Sequence, residues 1–217
     1  MKKLVIIGAG GFGREIFDYA TDCIGYQTEF VIKGFIDNLQ TELVHPENYP
    51  PILGSIDGYE MQPDDIFICA LGDVKFKKKY CEYIMSKGGV FTTLISNRAY
   101  ISKINTHIGK GCIICPDARI HCDVTIGDFV TVQPFAVLGH DVAVGDWCHI
   151  NDYADCGGAS TIGKEVTIHT HAFILPKLKV EDDVTIGAGS IVLRNVKAGI
   201  VMFGIPAKPL PLPKINK

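Results

Sequence analysis

The stretch IGDFVTVQPFAVLGHDVAV, residues 126–144, carries an aliphatic side chain at every sixth position: Ile126, Val132, Leu138 and Val144. Followed outward, the spacing holds without a slip from Ile108 to Val192, through Ile114, Ile120, Ile150, Cys156, Ile162, Ile168, Ile174, Val180 and Ile186. Neither a helix, of period 3.6, nor an alternating strand, of period 2, produces a period of six, so this segment is a repeat that coils in hexads and stacks on itself. A second inward position lies four residues after the aliphatic one. It is filled by small or β-branched residues, among them Cys112, Ala118, Val124, Val130, Ala136, Val142, Cys148, Ala154, Ser160, Val166 and Ala172. Glycine follows the aliphatic residue at Gly109, Gly127, Gly145 and Gly163, a spacing of eighteen, which predicts that three hexads close one triangular coil. Parallel strands of successive coils then lie about 4.8 Å apart, with backbone hydrogen bonds running from coil to coil. The hexads amount to roughly five coils.

Ahead of the repeat the pattern changes. Lys3–Ile7, Val31–Ile36, Ile66–Ala70 and Val90–Ile95 read as strands, and Phe12–Ile24 and Val74–Ser86 as helices. Strands alternating with helices imply a small Rossmann-like parallel sheet. The fold class is therefore α/β plus all-β, with a Rossmann-like domain over 1–97 and a parallel β-helix over 98–217. Between the first strand and helix stands Gly8-Ala9-Gly10-Gly11-Phe12-Gly13, whose bare backbone and helix N-terminus suit a phosphate. Asp37 closes the second strand, where an acidic group commonly meets a ribose hydroxyl or a base edge. The motif taken alone points to a dinucleotide, but some 95 residues supply only half of a dinucleotide domain. A single nucleotide diphosphate is the better fit.

Composition excludes several classes. With 47% hydrophobic and 21% charged residues and a formal net charge of −3, the chain has material for a core and no electrostatic pull toward nucleic acid or membrane. The opening MKKLVII is interrupted by Gly8, Gly10, Gly11, Gly13 and Arg14-Glu15, so it does not read as a signal peptide, and a cytoplasmic protein is expected. Of eight cysteines, Cys112, Cys148 and Cys156 fall on the inward register, where reduced thiols act as apolar filler. Cys112-x-x-Cys115 is a single CxxC whose members face different sides of the prism, so no metal is expected there. Lys75, Lys77, Lys78 and Lys79 read as a solvated helix face. The terminal Pro209–Lys217 segment, proline-rich, is expected to lie extended outside any strand ladder.

The hexads IGDFVT at 126–131 and IGKEVT at 162–167, together with Gly204-Ile205-Pro206-Ala207-Lys208, resemble the left-handed β-helix acyltransferases. A small nucleotide-binding domain ahead of a short β-helix is similar to the layout of the sugar-nucleotide N-acetyltransferases of bacterial glycan synthesis, whose relatives include sialic acid O-acetyltransferases. The resemblance implies a left-handed coil, a homotrimer with active sites between subunits, and acetyl-CoA as co-substrate without a metal. It implies transfer of acetyl to the amino group of a nucleotide-linked deoxysugar in O-antigen or lipopolysaccharide synthesis. By the same resemblance Gly10, Gly11, Phe12, Gly13, Asp37, Asn38, Gly72 and Asp73 would hold the sugar nucleotide. His149, Gly158, Thr170, Gly187, Ala188, Pro206 and Lys208 would lie along the coenzyme. Many relatives carry His where this chain has Phe12. The carbonic anhydrases built on such a helix place zinc-ligand histidines as His-x4-His, a pair this sequence lacks.

The resemblance puts the chemistry at His140-Asp141, and the chemistry explains why. Acyl transfer from a thioester needs a base for the acceptor's proton, and a neighbouring carboxylate can hold the imidazole's other nitrogen. At eighteen residues per coil Gly158 lies over His140, where its N–H could serve a developing oxyanion. His149 lies half a coil away, so the two histidines share no corner of one prism. His107, His121, His169 and His171 take outward registers with surface roles. Two alternatives stay open: a sugar O-acetyltransferase using the same base on a hydroxyl, and a scaffold that binds nucleotide-sugars without reacting.

Overall fold

The computed structural model describes residues 1–39, 42–43 and 45–210. The chain divides into two compact units, Met1–Asn97 with Lys110–Ile114, and Arg98–Gly109 with Cys115 onward.

The first unit is built on a three-stranded parallel sheet in the order β2-β1-β3, from β1 (Lys2–Ile7), β2 (Phe30–Ile36) and β3 (Asp65–Cys69). Two helices complete it, α1 (Gly11–Ala20) and α2 (Val74–Ser86). The apolar run of β1 is fully buried at Leu4, Val5, Ile6 and Ile7, as expected for a central strand covered on both faces. Register slips by one between Leu4 and Val5, making Lys33 the extra residue on β2. Such a bulge re-aims a side chain, and Lys33 Nζ meets Tyr59 Oη at 2.6 Å and the buried Asp65 carboxylate at 2.7 Å.

Three expectations change here. Val90–Ile95 is not a fourth strand of this sheet: only Phe91 bridges to Phe67, and Leu94–Ile95 pairs instead with Ile113–Ile114. The reason is backbone satisfaction, since Leu94 and Ser96 donate their N–H groups to the Cys112 and Ile114 carbonyls. The first helix stops at Ala20, capped by Thr21, rather than running to Ile24. Lys77 does not belong to a solvated face, because its side chain is fully buried.

The second unit is a parallel β-solenoid of two-residue strands. One face stacks six strands from Tyr100–Ile101 to Ile191–Val192, and another stacks five from His107–Ile108 to Lys179–Val180. On the third, Thr131–Val132, His149–Ile150, Thr167–Ile168, Thr185–Ile186 and Val201–Phe203 pair in turn. The six-strand face exceeds five coils because Tyr100–Ile101 adds a strand before the first hexad counted from the sequence. Partners are eighteen residues apart on the principal ladders, as in Val137 with Asp155 and Ala143 with Thr161. Both inward registers are buried nearly throughout, from Ile114 to Val192 and from Cys112 to Val166.

Lys208–Pro209 continues the third face as an antiparallel strand against Val201–Phe203, and Leu210 N–H donates to Val201 O at 2.7 Å. The expectation that Pro209 lies outside any ladder is therefore corrected. At an edge, proline's missing N–H costs no bond. The rest of that segment, 211–217, lies outside the described residues.

Every sixth residue from Asn105 to Gly189 has a left-handed backbone, with φ between +48° and +67°. Only Gly111 and Gly189 of these are glycine; the others include Phe129, Phe135, Trp147 and Tyr153. Non-glycine residues pay a steric cost there. The glycines that follow the aliphatic positions answer a different need. A Cβ on Gly109 would come within 2.5 Å of Gly127 O, and one on Gly145 within 2.8 Å of Gly163, so coils touch backbone to backbone at that corner.

Ser160 is fully buried inside the prism and its hydroxyl has no hydrogen-bond partner. Ser160→Ala removes an unsatisfied group and should stabilise the protein by about 1 kcal/mol, read as a rise in Tm. Ile126→Asp should instead cost several kcal/mol by burying an unpaired charge, and circular dichroism should show loss of the solenoid; a fully folded variant would refute the inward register.

Candidate active site

Residues 140, 141 and 158 share one corner of the solenoid. Asp141 is one of the left-handed corner residues, with φ of +60°, and its N–H donates to Cys122 O at 3.1 Å. That conformation turns its short side chain back on its neighbour, and Asp141 Oδ2 lies 2.6 Å from His140 Nδ1. The bond leaves Nε2 without a hydrogen-bond partner among the described residues, and more than half of the side chain is exposed. One coil on, a Cβ at Gly158 would fall 2.5 Å from His140 Nε2 and 2.9 Å from the adjoining ring carbons. Glycine is thus required by the histidine ring and not by backbone strain. Ala159, the next residue, takes the positive φ. Gly158 N–H donates to no group among the described residues, while Ala159 N–H binds His140 O at 2.7 Å and fixes the backbone under the ring.

One coil earlier on this corner sits Asp123. Asn105 Nδ2 donates to it at 2.8 Å and, with the Cys122 thiol as second donor, holds its carboxyl below the usual carboxylate range. The same hydrogen bond to Asp123 pushes the Cys122 thiol up.

The remaining residues expected along a coenzyme divide. His149 is 2% exposed, with Nε2 3.0 Å from Gln133 Nε2, so its ring is neither on the surface nor beside His140. Thr170 and Gly187 lie on consecutive coils of another corner, where Gly189 N–H donates to Thr170 O. Gly187 is needed for packing, since a Cβ there would meet the Phe203 ring at 2.4 Å. Ala188 beside it is exposed. Pro206 and Lys208 line a cavity of about 460 Å³ with Val192, Arg194, Val196 and Met202.

The expected nucleotide residues gather in the first unit. Gly10, Asp37, Asn38, Gly72 and Asp73 line one cavity of about 300 Å³. Gly10 caps α1 without a side-chain bond, and a Cβ on Gly10 or Gly11 would meet nothing within 4 Å, so the first N–H groups of α1 remain approachable by an anion. Gly11, Phe12 and Gly13 do not line that cavity; Gly11 lines a neighbouring one with Arg14 and Glu15. A Cβ on Gly13 would come 2.0 Å from Gly8 O, so this glycine serves close packing of helix on strand. Asp37 accepts N–H bonds from Ala9 and Leu39, and Asp73 caps α2 by accepting from Phe76 N–H. The cavity also includes Leu39, Ile56, Leu71, Phe76 and Tyr80, which the motif reading missed. Only the i, i+4 spacing of Phe76 and Tyr80 hinted at a shared helix face.

None of the eight cysteines is in a disulfide. Among the described residues, no group of three His, Cys, Asp or Glu is placed to hold a metal, and no helix is long and apolar enough to cross a membrane.

Comparison with known proteins gives a consistent assignment. Residues 3–84 match the PglD N-terminal domain, and residues 105–140 match the bacterial transferase hexapeptide of six repeats. No curated protein matches the chain. Among solved structures, the acetyltransferase domain of PglB from Neisseria gonorrhoeae is 27% identical with a TM-score of 0.87, over 97% of this chain and 100% of that one. The same domain in complex with acetyl coenzyme A is 28% identical with a TM-score of 0.85, over 96% and 99% of the two chains. A point mutant of perosamine N-acetyltransferase from Caulobacter crescentus, in complex with CoA and GDP-perosamine, shares the fold at 22% identity and a TM-score of 0.88, over 97% and 98%. With a PglD N-terminal domain over 3–84, hexapeptide repeats over 105–140 and this fold along nearly its whole length, the chain is similar to the left-handed β-helix acyltransferases and is an acyltransferase enzyme.

Proposed function

We propose that this protein transfers acetyl from acetyl-CoA to the amino group of a nucleotide-linked amino deoxysugar. The observation that carries the reading is the His140–Asp141 pair at 2.6 Å with Gly158 packed against its Nε2. Nε2 takes the proton of the attacking amine and returns it to the departing thiolate, while Asp141 holds Nδ1 and supports the imidazolium. The free N–H of Gly158 is the donor for charge developing on the carbonyl oxygen. The acetyl-CoA-bound PglB domain supports the donor, and the 300 Å³ cavity beside the α1 N-terminus supports a nucleotide on the acceptor. Thr170, Gly187, Ala188, Pro206 and Lys208 are assigned to the coenzyme, the last as a phosphate partner. Gly10, Gly11, Asp37, Asn38, Gly72 and Asp73 are assigned to the sugar nucleotide.

The same reading has three copies of the chain assembled in the cytoplasm, where both substrates are made, with sites between subunits. The stacked and exposed rings of Phe135 and Tyr153 on one corner are the surface we assign to that contact. Sedimentation should give a trimer, and Tyr153→Glu should lower its mass toward the monomer.

The reaction is tested by thiol release from acetyl-CoA against UDP-, dTDP- and GDP-linked 3-amino and 4-amino deoxysugars, with free sialic acid as the hydroxyl control. Turnover with an amino sugar nucleotide is the expected result. Turnover with sialic acid alone would replace it by O-acetylation, and failure to bind acetyl-CoA would leave a scaffold. His140→Ala should lower turnover roughly 10²–10⁴-fold without changing the circular dichroism spectrum. Gly158→Ala, whose methyl group would displace the imidazole, should also lower kcat while leaving nucleotide binding intact.

A further inference from the structure

The 300 Å³ cavity of the first unit contains a ring with no structural task. Phe76 is 54% exposed on the first turn of α2, yet it lines the cavity with Leu39, Ile56, Leu71 and Tyr80. Tyr80, one helical turn on, lies nearly parallel to it at 17° with centroids 6.4 Å apart, so the two rings form one slanted plate along the cavity wall. A phenylalanine left half-exposed inside a concave apolar wall gains burial only when something flat is laid on it.

The polar groups of the same cavity are already committed to the protein. Both Asp37 oxygens accept backbone N–H bonds, from Ala9 and Leu39 at 2.8 Å each. Asn38 accepts from Ile56 N–H at 2.7 Å and donates to Asp57 at 2.7 Å, with Tyr80 Oη at 3.4 Å. Asp73 caps α2 through Phe76 N–H at 2.9 Å. These bonds shape the loops that carry the cavity's polar side chains. Gly10, the cap of the approachable α1 N-terminus, supplies the anion end of the same cavity.

Resting on the nucleotide-sugar reading above, we infer that Phe76, backed by Tyr80, is the stacking platform for the nucleobase, and that the cavity accepts pyrimidine and purine nucleoside diphosphates alike. Stacking on an aromatic face tolerates any base because every base has a π-face. Selectivity among acceptors then falls on the sugar.

Isothermal titration of the full-length protein with UDP, dTDP, GDP and inorganic pyrophosphate tests this. The wild type should bind the three nucleotides with similar affinity. Phe76→Ala should weaken all three by roughly 5- to 150-fold, the range of base–aromatic stacking, and leave pyrophosphate unchanged. Phe76→Tyr, which keeps the ring, should restore binding and guards against a folding artefact in the alanine variant. Nucleotide binding by Phe76→Ala equal to wild type overturns the platform while leaving the nucleotide reading in place. A wild-type preference of a hundredfold or more for one base overturns base tolerance. A wild type that binds pyrophosphate but no nucleotide overturns the reading on which the inference rests.

Discussion

At most corners of the solenoid from Asp123 onward, the N–H of a residue held in the left-handed region donates to a carbonyl nineteen positions earlier. Asp123 binds Ile104, Asp141 binds Cys122, Trp147 binds Asp128, Ala159 binds His140 and Lys177 binds Gly158. A left-handed conformation costs a non-glycine residue roughly 1–2 kcal/mol, and a hydrogen bond returns about 0.5–1.5 kcal/mol net. The corner thus breaks near even on its own. What tips the balance is the aliphatic ladder inside, where residues such as Ile126, Val144 and Ile162 stack and are almost wholly removed from water. No coil stands without its neighbours, and the two-residue strands are enough because each strand inside a ladder is hydrogen-bonded on both sides.

The corner we propose to be catalytic is built with this same device. The backbone that lets Asp141 close a coil also folds its carboxylate onto His140, so the orienting group needs no separate support. Gly158 sits where the stacking interval brings the next coil against the ring. Corner positions elsewhere hold Phe135, Tyr153 and His171 as a stacked ladder, showing that the conformation places no demand on side-chain type. The same scaffold position therefore serves as brace, surface or active site according to what is placed there.

The hexad period and its eighteen-residue superperiod were legible from the sequence, because inward burial imposes a strict alternation of residue size. The corners were less so: Asn, Asp and Gly recur there and no β-branched residue does, but residues as unlike as Trp147, Ala159 and Lys177 share the same backbone conformation. The same limit explains the errors nearby. Val90–Ile95 has strand composition, but which partner takes its hydrogen bonds is a tertiary matter. Gly13 reads as a ligand glycine in a motif, and its packing against Gly8 is a second demand that the motif does not reveal. His149 has an outward register yet is buried. In the nucleotide cavity, the motif located the glycines and acidic residues, whereas Phe76, Tyr80, Ile56 and Leu71 come from separate elements that only folding brings together.

The stacking interval between His140 and Gly158 also works as an angular address. Each hexad turns the chain by a third of a revolution, so an extra hexad between the two would preserve every apolar ladder while carrying Gly158 to a different face. An insertion of a whole coil would keep the face but put a layer between the partners. The prism can therefore lengthen beyond its active corner with little penalty, whereas the span from His140 to Gly158 is fixed in length. Divergence among such proteins is accordingly channelled into corner side chains and loops that bulge outward, and away from the count of residues along this one turn.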